Sequence, residues 1–196
     1  MAGLGVFGGA FDPVHGGHVA IAACAKQALG LGRMLVVPSG NPPHKSHLVG
    51  AEHRLAMVRL AFAGTGCRVS DIEMRPGATG YSVDTLRGLR QANPRTPLWF
   101  VVGEDNLAQL PTWRDLPGIG QLCGIAVALR PGSGGPTPEA IKTAHEAGVR
   151  VVFLPLVGPD ISSTQLRREL AAGNDVGRWC GPQVAAYIRE HGLYRA

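Results

Sequence analysis

Nowhere does this chain run for the 18 or more apolar residues that a membrane-spanning helix needs, so no such span is expected. Residues 1–11 lack a basic stretch ahead of an apolar one, and no signal peptide is expected. Cysteine is scarce: Cys24, Cys67, Cys123 and Cys180 stand far apart and form no C-x-x-C pair. In a chain of this length they read as buried thiols, not as a disulfide or zinc framework, and a reducing cytoplasm is the expected compartment. Aromatics make up only 6% of the residues and no basic run interleaves with them, which disfavours a nucleic-acid platform. Charged residues are 17% against 45% hydrophobic, a globular balance that excludes a disordered chain.

What is plentiful is turn chemistry. The 28 Gly and 15 Pro are more than a fifth of the 196 residues and follow no three-residue period, so collagen is excluded and many short elements with tight connections are expected. The net charge of +5 suits anionic partners, although its cations are spread along the whole chain and a diffuse excess is also plain composition. Short β-branched runs at 4–7, 34–37, 68–72, 98–102, 124–129 and 149–154 predict strands. Helical spacing at 19–29, 52–62, 83–91, 138–147, 164–171 and 182–190 predicts the helices between and after them. This alternation implies a parallel-sheet α/β fold, read as a single domain over 1–196 with a helical C-terminal part from about 162. Segments 39–50 and 130–138 are expected to be mobile loops. Ligands of such sheets bind beyond the carboxyl ends of the strands, which directs attention to 8–18, 38–47, 74–85, 103–115 and 155–167.

Residues 3–8, GLGVFG, match G-x-G-x-x-G literally, but Val6 and Phe7 belong to the strand, so they are no dinucleotide fingerprint. GGAFDPVHGGH at 8–18 is more informative. A strand ends in Gly8-Gly9, a Pro ends the turn, and a helix starts near Gly16 with His15 and His18 on one face. Glycines let the backbone approach a ligand, a helix N-terminus attracts phosphate, and two imidazoles can donate to phosphoryl oxygens as charge builds up. The plain alternative for either histidine is a cap or core residue. His44, His47 and His53 complete no common metal spacing with them, and no protein metal ligand is expected. Asp12 reads as a turn residue before Pro13. Late in the chain, ISSTQLR at 161–167 offers Ser162 or Ser163 as an N-cap, with Arg167 one turn on to grip the same anion. By itself it reads as an ordinary capped helix; beside the first motif it becomes a second phosphate clamp.

GGAFDPVHGGH, VPSGNPPHK (37–45), RPGATGYSVDTL (75–86), WFVVGEDNLAQLPTW (99–113), ISSTQLR and YIREHGLY (187–194) together resemble the bacterial nicotinate-nucleotide adenylyltransferases of the H-x-G-H nucleotidyltransferase superfamily. The resemblance implies a Rossmann-like α/β fold. It also implies adenylyl transfer from ATP to nicotinate mononucleotide, giving deamido-NAD and pyrophosphate, with Mg²⁺ carried mainly by the ATP phosphates. By the same resemblance His15, His18, Ser162, Thr164 and Arg167 contact the ATP phosphates beside Gly8, Gly9 and Phe11, and His15, His18 and Arg167 are catalytic. Gly103 and Asp105 lie near the nucleoside. Tyr81, Ser82, Thr85, Trp113 and Arg114 line the nicotinate-nucleotide pocket, approached by His44 and Lys45. Ala10 stands where the family commonly has Thr, and Ser82 where Thr is usual.

Because the attacking group is already an anion, catalysis is expected to be positioning and charge neutralisation without a protein nucleophile. Nicotinate is expected to be read by the Ser82 hydroxyl and cap N–H groups of a helix starting near Val83, and by backbone N–H groups around Trp113, with Asp84 turned away onto Arg87. Rival readings keep the fold with nicotinamide mononucleotide or phosphopantetheine as acceptor, or remove catalysis and leave a nucleotide-binding module. No nucleic-acid or membrane partner is expected, and self-association into a homo-oligomer stays open.

Overall fold

Among the residues described by the structure, a computed structural model covering 2–40, 49–129, 135–155 and 159–195, six strands form one parallel sheet. They are β1 (Gly3–Gly9), β2 (Leu31–Pro38), β3 (Arg68–Val69), β4 (Leu98–Gly103), β5 (Gly124–Ala128) and β6 (Val151–Leu154), in the order β3-β2-β1-β4-β5-β6. β1 lies between β2 and β4, so the crossovers diverge on either side of it and leave a crevice beyond its carboxyl end. The loops expected to be mobile lie outside the described residues over 41–48 and 130–134.

The sheet is apolar on both faces because each strand alternates. Val101 faces one layer with Phe7 and Ala126, whereas Phe100 and Val102 face the other with Val6, Ile125 and Val127. The first layer is closed by helices α1 (Gly16–Ala28), α2 (Ala51–Phe62), α7 (Ser163–Ala171), α8 (Gly177–Cys180) and α9 (Pro182–Glu190), through residues such as Ala22, Met57, Leu166 and Ile188. The second is closed by α3 (Ser82–Ala92), α4 (Glu104–Leu107), α5 (Leu116–Leu122) and α6 (Pro138–Glu146), through Leu86, Leu107, Ile119 and Ala144. Each fully buried Leu or Phe contributes roughly 1.5–3 kcal/mol.

Two strands are shorter than their apolar runs by two residues or more. β3 stops at Val69 because the Ser70 hydroxyl accepts the Ile72 N–H (3.3 Å) and Met74 N–H turns back onto the Asp71 carbonyl (2.8 Å), which closes a 3-10 turn over Ile72–Met74. β6 starts at Val151 because Val149 N–H still donates to Ala144 at the end of α6 (2.9 Å). α4, α5 and α8 are single turns or little more, too short to show a period in sequence.

Candidate active site

β1 carries Gly8 and Gly9 to the crevice, and the chain then turns sharply through Phe11, whose φ of 52° is left-handed. That backbone is held by burial: the Phe11 ring meets Phe7 edge-on (5.3 Å) and His18 likewise (5.0 Å). His15 caps α1 in extended conformation, and its backbone N–H donates to His18 Nδ1 (3.1 Å). With Nδ1 accepting, a neutral His18 carries its proton on Nε2, and Nε2 is the atom able to donate to a phosphoryl oxygen. The two imidazoles lie 3.8 Å apart between centroids. A Cβ on Gly17 would sit 3.0 Å from the His15 ring, which is why a glycine stands between the histidines.

The late motif closes on this loop. Ser162 caps α7 by accepting the Gln165 N–H (3.1 Å), and Ser163 Oγ donates to the Pro13 carbonyl (2.9 Å). Arg167 Nη1 donates to the Asp12 carbonyl (2.6 Å) and lies 3.7 Å from the Asp12 carboxylate, while Nη2 donates to Thr164 Oγ1 (3.2 Å). Two stretches some 150 residues apart thus share one wall of the crevice. Asp12 is more than a turn residue. It is buried, and its carboxylate accepts from the Tyr194 hydroxyl (2.7 Å) and the Val49 N–H (3.4 Å). Burial, and then Asp12 itself, push the Tyr194 hydroxyl far above its ordinary pKa, so it stays a donor.

Across the crevice lies a pocket lined by Gly8, Gly9, Ala10, Ser39, Glu73, Tyr81, Ser82, Phe100, Asn106, Gln109, Trp113 and Arg114, among others. Trp113 leans on Phe100 (5.7 Å, 60°), and the Arg114 guanidinium stands 4.6 Å over the Tyr81 ring. α3 begins at Ser82 with Tyr81 as its cap, one residue earlier than the sequence suggests: the Tyr81 carbonyl already accepts from Asp84 N–H (3.1 Å) and Thr85 N–H (3.4 Å). Trp113's own N–H is engaged by the Leu110 carbonyl (3.0 Å) at the end of a 3-10 turn, so a backbone donor to the carboxylate there would come from its neighbours. Asp84 does turn away. It accepts from Thr79 Oγ1 (2.7 Å) and from Arg87 (2.9 Å), and these bonds lower its pKa, Thr79 foremost. Glu73 is the unexpected acid of this pocket. It accepts from Thr85 Oγ1 (2.8 Å), yet burial dominates and raises its pKa.

The comparisons with known proteins agree with this geometry. Residues 6–169 match the cytidylyltransferase-like family model. Over its full length the chain is 38% identical to a protein of Thermomicrobium roseum, of which 92% is covered, and over 97% of its length 41% identical to one of Gloeobacter violaceus, 95% covered. Both are named probable nicotinate-nucleotide adenylyltransferase. The chain belongs to the nicotinate-nucleotide adenylyltransferase family. Its fold is also that of the Plasmodium falciparum nicotinic acid mononucleotide adenylyltransferase solved with NaAD, at a TM-score of 0.82 and 19% identity over 99% of this chain and 98% of that one.

The residues expected from the sequence fall into groups. His15, His18, Ser162, Thr164 and Arg167 come together with Gly8, Gly9 and Phe11 at one wall. Gly103 ends β4 as the cap of α4, whose second residue is Asp105. Tyr81, Ser82, Trp113 and Arg114 line the second pocket, but Thr85 turns its hydroxyl to Glu73. His44 and Lys45 lie outside the described residues. Sequence reasoning missed Glu73, Tyr194 and Arg54. A signal existed for Arg54: it occupies the buried stripe of α2 with Met57 and Val58, three and four residues on, where an apolar residue is expected.

Proposed function

We propose that this chain transfers the adenylyl group of Mg–ATP to nicotinate mononucleotide, releasing pyrophosphate and forming deamido-NAD. A phosphate oxygen of the mononucleotide attacks the α-phosphorus of ATP, a new P–O–P bond forms, and the bond from the α-phosphorus to the pyrophosphate oxygen breaks. The observation that carries this reading is the junction of the two anion-binding stretches, Ser163 to Pro13 and Arg167 to Asp12, next to an aromatic-lined pocket.

His18 donates from Nε2 to a phosphoryl oxygen, and Arg167 supplies fixed positive charge beside it. The Asp12 carboxylate accepts at Oδ1 from Tyr194 and Val49. Mg²⁺ enters as part of the Mg–ATP substrate, where it reduces the charge on the triphosphate. In the second pocket Glu73 and Arg114 are the charged groups among the described lining residues. Arg114 can pair with the nicotinate carboxylate, and the Glu73 carboxylate is turned to Thr85. The cytoplasm is the proposed compartment, supported by four free cysteines.

A coupled pyrophosphate-release assay with each acceptor tests the assignment. Nicotinate mononucleotide is expected to exceed nicotinamide mononucleotide and phosphopantetheine in kcat/KM by at least about tenfold, as a site built around a charged partner discriminates. Equal or reversed preference contradicts the acceptor assignment, and no release with any acceptor supports a non-catalytic module.

A further inference from the structure

Arg54 is 2% exposed, and its four hydrogen bonds among the described residues go to main-chain carbonyls. Nε donates to Val49 (2.9 Å), Nη1 to Ala10 (2.9 Å) and Ser39 (2.6 Å), and Nη2 to Gly40 (2.7 Å). Burial lowers its pKa, while Asp12, Tyr194, Glu52 and Glu73 act the other way. Such a planar fork suits several fixed acceptors at once, which a lysine cannot match. The acceptors belong to the segments that follow β1 and β2. Ala10 lies in the phosphate loop, and Gly40 and Val49 are the described residues on either side of 41–48.

The path continues on the other side of Gly40 by packing. The two backbones are in tight contact, for a Cβ on Gly40 would fall on the Glu73 carbonyl oxygen. The Glu73 carboxylate in turn accepts from Thr85 on α3, the helix whose start lines the acceptor pocket. One path of hydrogen bonds and packed backbone thus runs from Ala10 through Arg54, the Gly40 peptide and Glu73 to α3. Arg54 itself is not among the residues lining the pocket.

We propose that Arg54 and Glu73 are positioning residues for the transfer: the bridge they make through the Gly40 peptide fixes the distance between the phosphate loop and the acceptor pocket. The inference rests on the adenylyl-transfer reading. It assigns Arg54 a role through the loops it holds, since alignment of two anions for in-line attack is sensitive to displacements of about 1 Å.

The test compares R54K, E73Q and the double variant with the unaltered enzyme, by steady-state kinetics with both substrates and by thermal unfolding. R54K keeps the charge and loses the fork. It is expected to lower kcat by at least about tenfold while still unfolding cooperatively. E73Q is expected to raise the acceptor KM and leave the ATP KM within about twofold, and its effect should largely vanish in the R54K background, as for members of one chain. If R54K does not fold, T85V takes its place, with the same rise in acceptor KM expected. Kinetic constants of R54K within about twofold of the unaltered enzyme, fully multiplicative effects, or an unchanged acceptor KM in E73Q and T85V each overturn the proposal. An unaltered enzyme that fails to use nicotinate mononucleotide overturns the functional reading instead.

Discussion

At the scale of single residues, chemistry here depends on which atom of a side chain is already engaged. His18 Nδ1 takes the backbone N–H of His15, so Nε2 is the ring atom proposed to meet a phosphoryl oxygen. H18A is expected to lower kcat by about 10²–10³-fold, the usual effect of deleting one donor to developing charge, with little change in ATP affinity. Rapid-quench kinetics together with ATP titration check this, and a loss confined to affinity contradicts it. Glu73 gives a pH signature. Its pKa is raised from the ordinary 4.5 by burial, so the native state holds that proton more tightly than the unfolded chain. The stabilisation is complete below pH 4.5 and is lost as pH rises through the raised value. Urea midpoints measured across that window should therefore fall less with rising pH in E73Q than in the unaltered protein. Parallel profiles contradict the assignment.

At the scale of elements, α7 ties the late motif to the phosphate loop. Its start depends on the Ser162 cap. S162A is expected to cost about 0.5–2 kcal/mol in denaturant unfolding and to weaken ATP binding, because the cap fixes where Ser163 and Arg167 meet residues 12 and 13. An unchanged stability and affinity contradicts that linkage. The six main helices were legible from helical spacing and the six strands from short apolar runs, such as WFVV in β4. What was not legible was set by contacts remote in sequence. Tyr194 sits at the end of YIREHGLY and acquires its meaning only when α9 docks on α2, where Tyr187 Oη meets His53 Nδ1 (2.9 Å) and the turn beyond delivers Tyr194 to Asp12. Asp12 read alone as a turn former for the same reason. The start of α3 was displaced by one residue because Tyr81, a poor cap by type, is held there by its backbone alone. Position 10, where a hydroxyl is missing, supplies a backbone carbonyl to Arg54, a function any side chain permits.

At the scale of the whole molecule, the sheet order places β1 beside the crevice, and the segments that follow β1 and β2 are both held by one buried guanidinium, that of Arg54. The helices on one face supply Ser163, Arg167 and Tyr194, or the turn that bears it, to the phosphate side. The helix starts on the other face supply Tyr81, Ser82 and Arg114 or their neighbours to the acceptor side. On the proposed reading, the division of the core into two layers is also the division of the site between its two substrates. A crystal structure with a non-hydrolysable ATP analogue tests this most directly. The account predicts the triphosphate seated between residues 8–18 and 162–167, with His18 Nε2 and Arg167 both within hydrogen-bonding distance of its oxygens. A nucleotide whose phosphates touch only one of those stretches, or neither, contradicts it.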